Sequence, residues 1–295
     1  MIILNPMKIS DNLKAKVLKI IKFLPFKNKN LVRFKIRHTF VGIILKLYSF
    51  NPYSKLSRFF FYSLSDKYAN YKDLYNLLGY LKKRDNPKSI LEIGIGGHNK
   101  KYSGGYSLVA LSHYYYKSKI YGLDINEKSF LDTRKIKTLQ GSQSDINLLE
   151  KVGSENGPFD IIIDDGSHYV DHQIISFRNL WKHLNDDGYY IIEDLSGSYL
   201  SRLRGSPELE KDKNLISFFS DLNHMVNAER LLKKWLDKSK NYININQIFY
   251  FKSAILIHKK NYISPITGAD EDEKNNNYKL KKDSEGNLNI PDDFN

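Results

Sequence analysis

The sequence predicts an α/β fold built on a doubly wound, mostly parallel sheet. Short apolar runs recur at the spacing of βα units, and four of them end in glycines or carboxylates. Segments with helical apolar stripes lie between these runs. A further apolar pair near the C-terminal end predicts an antiparallel hairpin, so we expect seven strands. Hydrophobic residues make up 41% of the 295-residue chain, which is enough for a sizeable core.

The positive charge is concentrated at one end of the chain. Residues 1–90 hold 19 Lys and Arg but only 4 acids, whereas the other 205 residues hold 27 bases and 29 acids. A basic element of this kind suits partners that carry phosphate, such as anionic lipid head groups, a nucleotide-linked or lipid-linked substrate, or RNA. A solvated helical surface explains the same charge without a partner.

Several classes of protein are excluded by what the sequence lacks. Without cysteine there is no disulfide framework, no thiolate metal site and no cysteine nucleophile. No stretch approaches the ~20 apolar residues that a transmembrane helix needs, and the first thirty residues lack a secretory signal pattern. We therefore expect a cytoplasmic protein, with peripheral membrane contact as an option.

Residues 1–64 are expected to form a basic helical extension. Within residues 13–24, apolar residues recur at near-helical spacing with lysines between them, which is typical of a basic amphipathic helix. Such a helix can pack on its own domain, join a second subunit or lie on a membrane surface. Helical segments continue to residue 64 with a break near Asn51-Pro52, and another helix with an apolar stripe is expected over residues 66–83.

The first strand, residues 89–93, runs into a glycine turn at residues 94–97. The turn matches an acid-x-Gly-x-Gly pattern led by Glu92, because Asn99 stands where a dinucleotide fingerprint needs glycine or alanine. The second strand ends at Asp124, whose carboxylate can accept hydrogen bonds from ribose hydroxyls. A helix N-cap or a turn residue is the alternative interpretation of Asp124.

The remaining elements continue the same α/β pattern. They are a helix at 104–116, a strand at 136–139 before a polar turn at 140–145, a strand at 159–164, a helix at 171–183, a strand at 189–193 and a hairpin within 246–258. The polar run after residue 264 cannot bury enough apolar area to order alone. The expected division is an extension over 1–64, an α/β domain over 65–261 and a flexible polar tail over 262–295.

Carboxylates follow two strands that should be neighbours in the sheet. Asp164 and Asp165 end the fourth strand, and Glu193 and Asp194 end the fifth. Adjacent strands lie ~4.8 Å apart, so these acids can converge on one cation, without which they would repel each other. Oxygen ligands favour Mg²⁺ over zinc. A helix cap and a solvated strand end are the alternatives for these acids.

These motifs together resemble the class I S-adenosylmethionine-dependent methyltransferases, which have a Rossmann-like fold. More narrowly, the chain is similar to the metal-dependent sugar O-methyltransferases of the mycinamicin and macrocin type. The resemblance covers roughly residues 65–260. It rests on the segments Leu91–Gly97, Asp124, Gln140–Asp145, Asp164–His168 and Ile192–Asp194, and on Ser65-Asp66-Lys67, which is similar to the Thr-Asp-Lys element of that family.

The resemblance implies a role for each matched residue. It implies that His168 is the general base, that Asp165, Glu193 and Asp194 bind Mg²⁺, and that Glu92, Gly94, Gly96 and Asp124 hold S-adenosyl-L-methionine, with Ser142, Gln143, Asp145 and Asp164 around its adenosine end. His168 and His172 have the i, i+4 spacing of a zinc pair, but no further ligand stands at an obvious spacing.

The expected reaction is methyl transfer to a sugar hydroxyl of a glycoside, surface polysaccharide or glycolipid. The metal would lower the pKa of the hydroxyl while His168 takes its proton. Two other hypotheses remain at this point: an enzyme of the same fold with different tailoring chemistry, and a non-catalytic protein that docks through its basic arm. Self-association is a further expectation, and nucleic acid is not an expected partner.

Overall fold

The computed structural model describes residues 29–51, 53–100, 102–209, 213–231 and 240–261. The predicted amphipathic helix at 13–24 and the predicted tail at 262–295 lie outside these ranges. The described helices are α1 (Lys29–Ser49), α2 (Leu56–Ser63), α3 (Lys67–Leu81), α4 (Tyr106–Tyr114), α5 (Ile146–Asn156), α6 (Val170–Leu180) and α7 (Leu215–Leu222). The strands are β1 (Ser89–Ile93), β2 (Lys119–Asp124), β3 (Ile136–Gln140), β4 (Phe159–Asp164), β5 (Leu184–Glu193), β6 (Ile245–Phe251) and β7 (Ala254–Lys259).

The strands form one seven-stranded sheet in the order β3-β2-β1-β4-β5-β7-β6. Strands β1 to β5 pair in parallel, and β7 is antiparallel to both β5 and β6. The predicted doubly wound sheet with a terminal hairpin is therefore confirmed. The chain order reverses between β1 and β4, and the crevice at the carboxyl ends of such strands is where α/β sheets bind ligands.

Helices cover both faces of the sheet, as the continuous apolar run in β4 requires. Ile161 and Ile163 point into the cluster formed with α1 to α4, and Ile162 points into the cluster formed with α5 to α7. All three side chains are fully buried. Strand β4 is therefore buried on both faces, because alternate side chains of a strand reach opposite faces.

Helices α1 and α2 share a core with the sheet. Leu45 of α1 and Phe60 of α2 are fully buried in the cluster that also contains Ile161. Helices α1 and α2 also pack on α3 and α4. The domain boundary after residue 64 remains a prediction. Among the residues that the model describes, no helix is both long and apolar enough to cross a membrane.

Strand β5 begins earlier than predicted. Leu184 already pairs with Phe159, whereas the next registered pair joins Tyr189 to Ile161. The polar residues 185–188 therefore bulge out of a strand that has already begun. The strand ends at Glu193 as predicted, so this difference leaves the carboxyl edge of the sheet unchanged.

Candidate active site

A cavity of about 650 Å³ opens at the carboxyl ends of β1, β2, β4 and β5. Eight of the predicted site residues line it: Gly94, Gly96, Asp124, Ser142, Gln143, Asp165, His168 and Asp194. The other four do not line the cavity: Glu92, Asp164 and Glu193 are buried, and Asp145 is exposed. The topology thus brings the glycine turn, the β2 tip and the two acidic strand ends to one place.

The two glycines of the turn have different roles. Both have left-handed backbones, with φ of 85° at Gly94 and 72° at Gly96. A Cβ atom on Gly94 would overlap the carbonyl oxygen of Asp165, so Gly94 is required by the packing of two strand ends. A Cβ on Gly96 would meet no described atom within 4 Å. Gly96 therefore faces the space that a ligand can fill.

Asp124 joins the tip of β2 to the glycine turn. Its Oδ2 accepts a hydrogen bond from the N–H of Ile95 at 2.9 Å, and its Oδ1 accepts one from the N–H of Asn126 at 2.8 Å. Oδ1 also accepts from the side-chain N–H of Asn126 at 3.2 Å, whereas Oδ2 keeps a further lone pair, so both the turn role and a ribose-binding role are compatible with this geometry.

Lys128 supports the loop after the glycine turn and was not predicted as a site residue. Its Nζ donates to the carbonyl oxygens of Gly96 at 2.8 Å, His98 at 3.0 Å and Ser103 at 3.1 Å. Burial lowers the pKa of Lys128, and Asp124 partly offsets this effect. The lysine thus fixes one wall of the cavity from outside the motif.

Gln143 and Asp164 form a buried hydrogen-bonded pair beside the cavity. The Nε2 of Gln143 donates to Asp164 Oδ1 at 3.0 Å, and its Oε1 accepts from the N–H of Ser167 at 2.6 Å. Burial raises the pKa of Asp164 to about 7, although the hydrogen bond from Gln143 opposes the shift. Asp145 caps α5 by accepting from the N–H of Leu148 at 3.1 Å.

Lys67 lies at the centre of a carboxylate cluster. Its Nζ is 2.6 Å from Asp165 Oδ2, 2.8 Å from Glu193 Oε1 and 3.2 Å from Glu92 Oε1. Glu92 also accepts a hydrogen bond from the hydroxyl of Ser107 at 2.8 Å. Burial alone would lower the pKa of Lys67, but Asp165 and Glu193 hold it well above its ordinary value. The ammonium is therefore a permanent counter-ion for these acids.

Desolvation acts in the opposite direction on the carboxylates. Burial raises the pKa of Glu92 to about 7 and that of Glu193 well above its ordinary value, although Lys67 lowers both. The pKa of Asp165 is also raised by burial and lowered by Lys67. One ammonium does not offset the desolvation of three acids, so a second cation at this edge would be electrostatically favourable.

Helix α3 contributes two tyrosines that the sequence placed only in an apolar stripe. Lys67, Tyr71 and Tyr75 follow one another at i, i+4 and i+8, which puts them on one helix face. The Tyr75 hydroxyl donates to Glu193. The Tyr71 hydroxyl donates to Asp194 Oδ1 at 2.7 Å and accepts from the N–H of Asp194 at 3.1 Å. This repeated polar spacing is the signal that identifies them.

Asp165, His168 and Asp194 form a group that could hold a metal ion, with ligand atoms all within 4.8 Å of one another. His168 Nε2 lies 3.3 Å from Asp194 Oδ2. His168 and Asp194 both have left-handed backbones, with φ of 58° and 57°, a strained state that clusters at functional sites. The predicted ligand set contained Glu193, whereas this group contains His168. In the structure, the Glu193 carboxylate is directed at Lys67 and Tyr75.

His172 lies outside this group. Its Nδ1 is 2.9 Å from the hydroxyl of Ser167, and its Nε2 is 3.4 Å from Nη1 of Arg204. These contacts occupy both ring nitrogens, so the zinc-pair hypothesis gains no support from the described geometry.

Comparison with known proteins agrees with the predicted resemblance. No family model matches the chain. The chain is 44% identical over 120 residues to the 8-demethyl-8-(2-methoxy-α-L-rhamnosyl)-tetracenomycin-C 3'-O-methyltransferase of Streptomyces olivaceus. The aligned segment covers 41% of this chain and 31% of that protein. It is 43% identical over 116 residues to the demethylmacrocin O-methyltransferase of Streptomyces fradiae, with 39% and 29% covered. The match thus spans less than a third of these curated relatives.

A solved structure shares a larger part of the fold. The MycE methyltransferase of the mycinamycin pathway, solved with Mg, SAH and mycinamycin VI, superposes with a TM-score of 0.63 at 28% identity over 70% of this chain and 55% of that chain. A second crystal form, with Mg and SAH, gives a TM-score of 0.65 at 26% identity over 79% and 58%. The chain therefore has a Rossmann-like methyltransferase fold, and its curated homologues are sugar O-methyltransferases.

Proposed function

We propose that this protein is an S-adenosyl-L-methionine-dependent and Mg²⁺-dependent O-methyltransferase that acts on a sugar hydroxyl of a glycoside, surface polysaccharide or glycolipid. One observation carries the proposal. A single cavity has the glycine turn and Asp124 on one side and the group of Asp165, His168 and Asp194 on the other. This arrangement provides for a nucleoside cofactor and a cation-assisted reaction centre in adjacent parts of one space.

The cofactor side of the cavity fits an adenosine-bearing ligand. Gly96 leaves open space at the turn, and Asp124 keeps a lone pair on Oδ2 that a ribose hydroxyl can approach. Ser142 and Gln143 line the region beyond β3, which suits the base end of the nucleoside. S-adenosyl-L-methionine would supply the methyl group from its sulfonium.

The donor atoms on the other side fit a hard divalent cation. Asp165 and Asp194 would hold it, since carboxylate oxygens are the ligands that Mg²⁺ prefers. Glu193 remains the predicted third ligand, and its carboxylate contacts Lys67 and Tyr75 in the structure. Mg²⁺ would lower the pKa of a coordinated sugar hydroxyl.

Two observations support His168 as the general base. Its imidazole lines the cavity, and Asp194 lies within 3.3 Å of Nε2, so the carboxylate can orient the ring and stabilise its protonated form. His168 would take the proton as the hydroxyl oxygen bonds to the methyl carbon. The methyl-to-sulfur bond breaks in the same step, so catalysis depends on positioning and charge.

Product analysis with labelled cofactor tests this proposal. The protein would be incubated with Mg²⁺, labelled S-adenosyl-L-methionine and a panel of rhamnosyl and olivosyl glycosides, chosen because the relatives' names include these sugars. We expect a methyl ether on a sugar hydroxyl. Cofactor binding without transfer to any sugar would favour a tailoring enzyme of different chemistry. Failure to bind the cofactor would favour a binding protein.

The finer predictions on partners and location remain proposals. The relatives' names support a glycosylated acceptor. A cytoplasmic location and self-association are still predictions from the sequence.

A further inference from the structure

Helix α1 presents apolar side chains on the side that faces away from the domain. On its packed side, Val41 and Leu45 are 3% and 0% exposed, whereas Ile43 and Leu47 are 53% and 66% exposed. Residues two positions apart in a helix lie ~200° apart around its axis. The exposed pair is therefore opposite the buried pair.

The exposed stripe continues past the end of the helix. Phe50 directly follows the last residue of α1 and is 75% exposed, and Tyr53 in the turn beyond is 90% exposed. We call these four residues the α1 apolar surface. Adjacent exposed apolar side chains of this size mark interaction sites, whereas single ones need no explanation.

The chain around this surface carries only positive charge. Residues 29–64 contain seven Lys and Arg and no Asp or Glu. Lys35 and Lys46 are exposed and lie within about 80° of Ile43 on the helical wheel, and Lys55 and Arg58 are exposed in the following segment. A second copy docked on this surface would bring these like charges together, whereas anionic lipid phosphates would neutralise them.

We propose that the α1 apolar surface docks the protein on an anionic lipid bilayer. Its four apolar side chains would enter the boundary between head groups and acyl chains, and Lys35 and Lys46 would contact head-group phosphates. Apolar insertion together with basic charge is what peripheral helices need for stable binding. The docking goes beyond the proposed methyl transfer and does not depend on it.

The opposite side of α1 contacts a wall of the active-site cavity. The Arg37 guanidinium lies over the ring of Tyr106 at 4.7 Å, and Tyr106 lines the cavity. His38 stacks on the same ring at 5.3 Å. Docking through α1 would therefore hold the cavity next to the bilayer, where a lipid-linked sugar acceptor is presented.

Sedimentation of the full chain with vesicles tests the docking. We expect binding to phosphatidylglycerol vesicles that is about tenfold or more tighter than binding to phosphatidylcholine vesicles, and that weakens as salt is raised. No cofactor is present in this assay, so its outcome is independent of the methyl-transfer proposal. Equal binding to both vesicles, or no binding to the anionic ones, would overturn the inference.

Matched variants locate the docking surface. The double variant Ile43→Glu/Leu47→Glu should bind anionic vesicles about tenfold or more weakly, because it puts charge at the apolar boundary. Ile146→Glu is the control, since Ile146 is 54% exposed on α5 on the other side of the sheet, and it should bind as the wild type does. Undiminished binding by the double variant would overturn the inference. The inference would also be overturned if the wild type and the control variant formed a concentration-dependent dimer and the double variant did not, because a second copy would then cover this surface.

Discussion

The hydroxyl of Tyr71 holds Asp194 by two hydrogen bonds, donating to the carboxylate Oδ1 at 2.7 Å and accepting from the backbone N–H at 3.1 Å. The same contact fixes both the side chain and the left-handed backbone of Asp194. Because the other carboxylate oxygen lies 3.3 Å from His168 Nε2, helix α3 positions the residue that orients the proposed base. Helix α3 is kinked at Tyr71, where φ is −131°.

Tyr71→Phe removes this clamp and leaves the ring in place. We expect the variant to fold and to bind Mn²⁺ about 10-fold to 100-fold more weakly, as is usual when a group that orients a metal ligand is lost. Isothermal titration calorimetry measures the affinity. Tyr68→Phe, on the same helix, is the matched control and should bind Mn²⁺ as the wild type does. Equal affinities for the two variants would contradict the positioning role.

Lys67→Met leaves Glu92, Asp165 and Glu193 without their buried cation. We expect the free energy of unfolding to fall by about 3 to 5 kcal/mol near pH 8, the usual loss when one partner of a buried ion pair is removed. Burial raises the pKa of Glu92 to about 7, so the loss should shrink toward pH 5, where the acid is protonated and needs no counter-ion. Urea unfolding at both pH values measures this difference.

The control for Lys67→Met is Lys117→Met, which removes an exposed ion pair with Asp85. Its stability should change by about 0.5 kcal/mol or less at both pH values. A loss for Lys67→Met that does not depend on pH would show that lost packing, and not unpaired charge, destabilises the variant.

The sequence predicts the parts of this site that depend on strand ends. Apolar runs that stop at Gly94, Asp124, Asp165 and Asp194 fix where each strand leaves the sheet, and parallel pairing then brings these ends to one edge. The fold class follows from the same pattern, because βα units of this spacing have few alternative topologies.

Side-chain direction and contacts between distant segments are not predictable in this way. Lys67 and Glu193 are 126 residues apart, and only the packing of α3 on the sheet brings their charges together. That packing directs the Glu193 carboxylate at Lys67. The group that could hold a metal ion therefore contains His168 and not Glu193. Lys128 likewise supports the glycine loop through backbone carbonyls, which leave no trace in a residue pattern.

The two glycines of the turn should respond differently to alanine. Gly96→Ala strains a left-handed backbone, by about 1 kcal/mol, and places a methyl group in the cavity, so we expect a folded protein that binds SAH at least about tenfold more weakly. Gly94→Ala adds an overlap with the Asp165 carbonyl and should lose about 3 kcal/mol or more of stability. Thermal unfolding and SAH titration separate these effects. The reverse order of stability would contradict the assignment.

His38 should contribute a loss of stability in mild acid, opposite in sign to the effect of Glu92 and Asp164, whose pKa values burial raises to about 7. Burial lowers the pKa of His38 from 6.5 to about 4, so between these values the unfolded chain binds a proton that the folded protein excludes. The His38 contribution is therefore lost as the pH falls from about 6.5 to about 4, by up to about 3 kcal/mol. Urea unfolding across this range should show that His38→Gln gains stability relative to the wild type as the pH falls. Parallel profiles would assign the loss to other groups.

In the proposed reaction, His168 removes a proton from a sugar hydroxyl during a cation-dependent methyl transfer. The most direct test is the initial rate of transfer from labelled S-adenosyl-L-methionine to an accepting rhamnosyl glycoside, for wild type and His168→Gln, with and without EDTA. We predict that His168→Gln lowers the rate about 100-fold or more while SAH affinity is kept, and that EDTA abolishes transfer by the wild type. A wild-type rate retained in His168→Gln would contradict the role of His168 as the base, and a wild-type rate retained in EDTA would contradict the need for a cation.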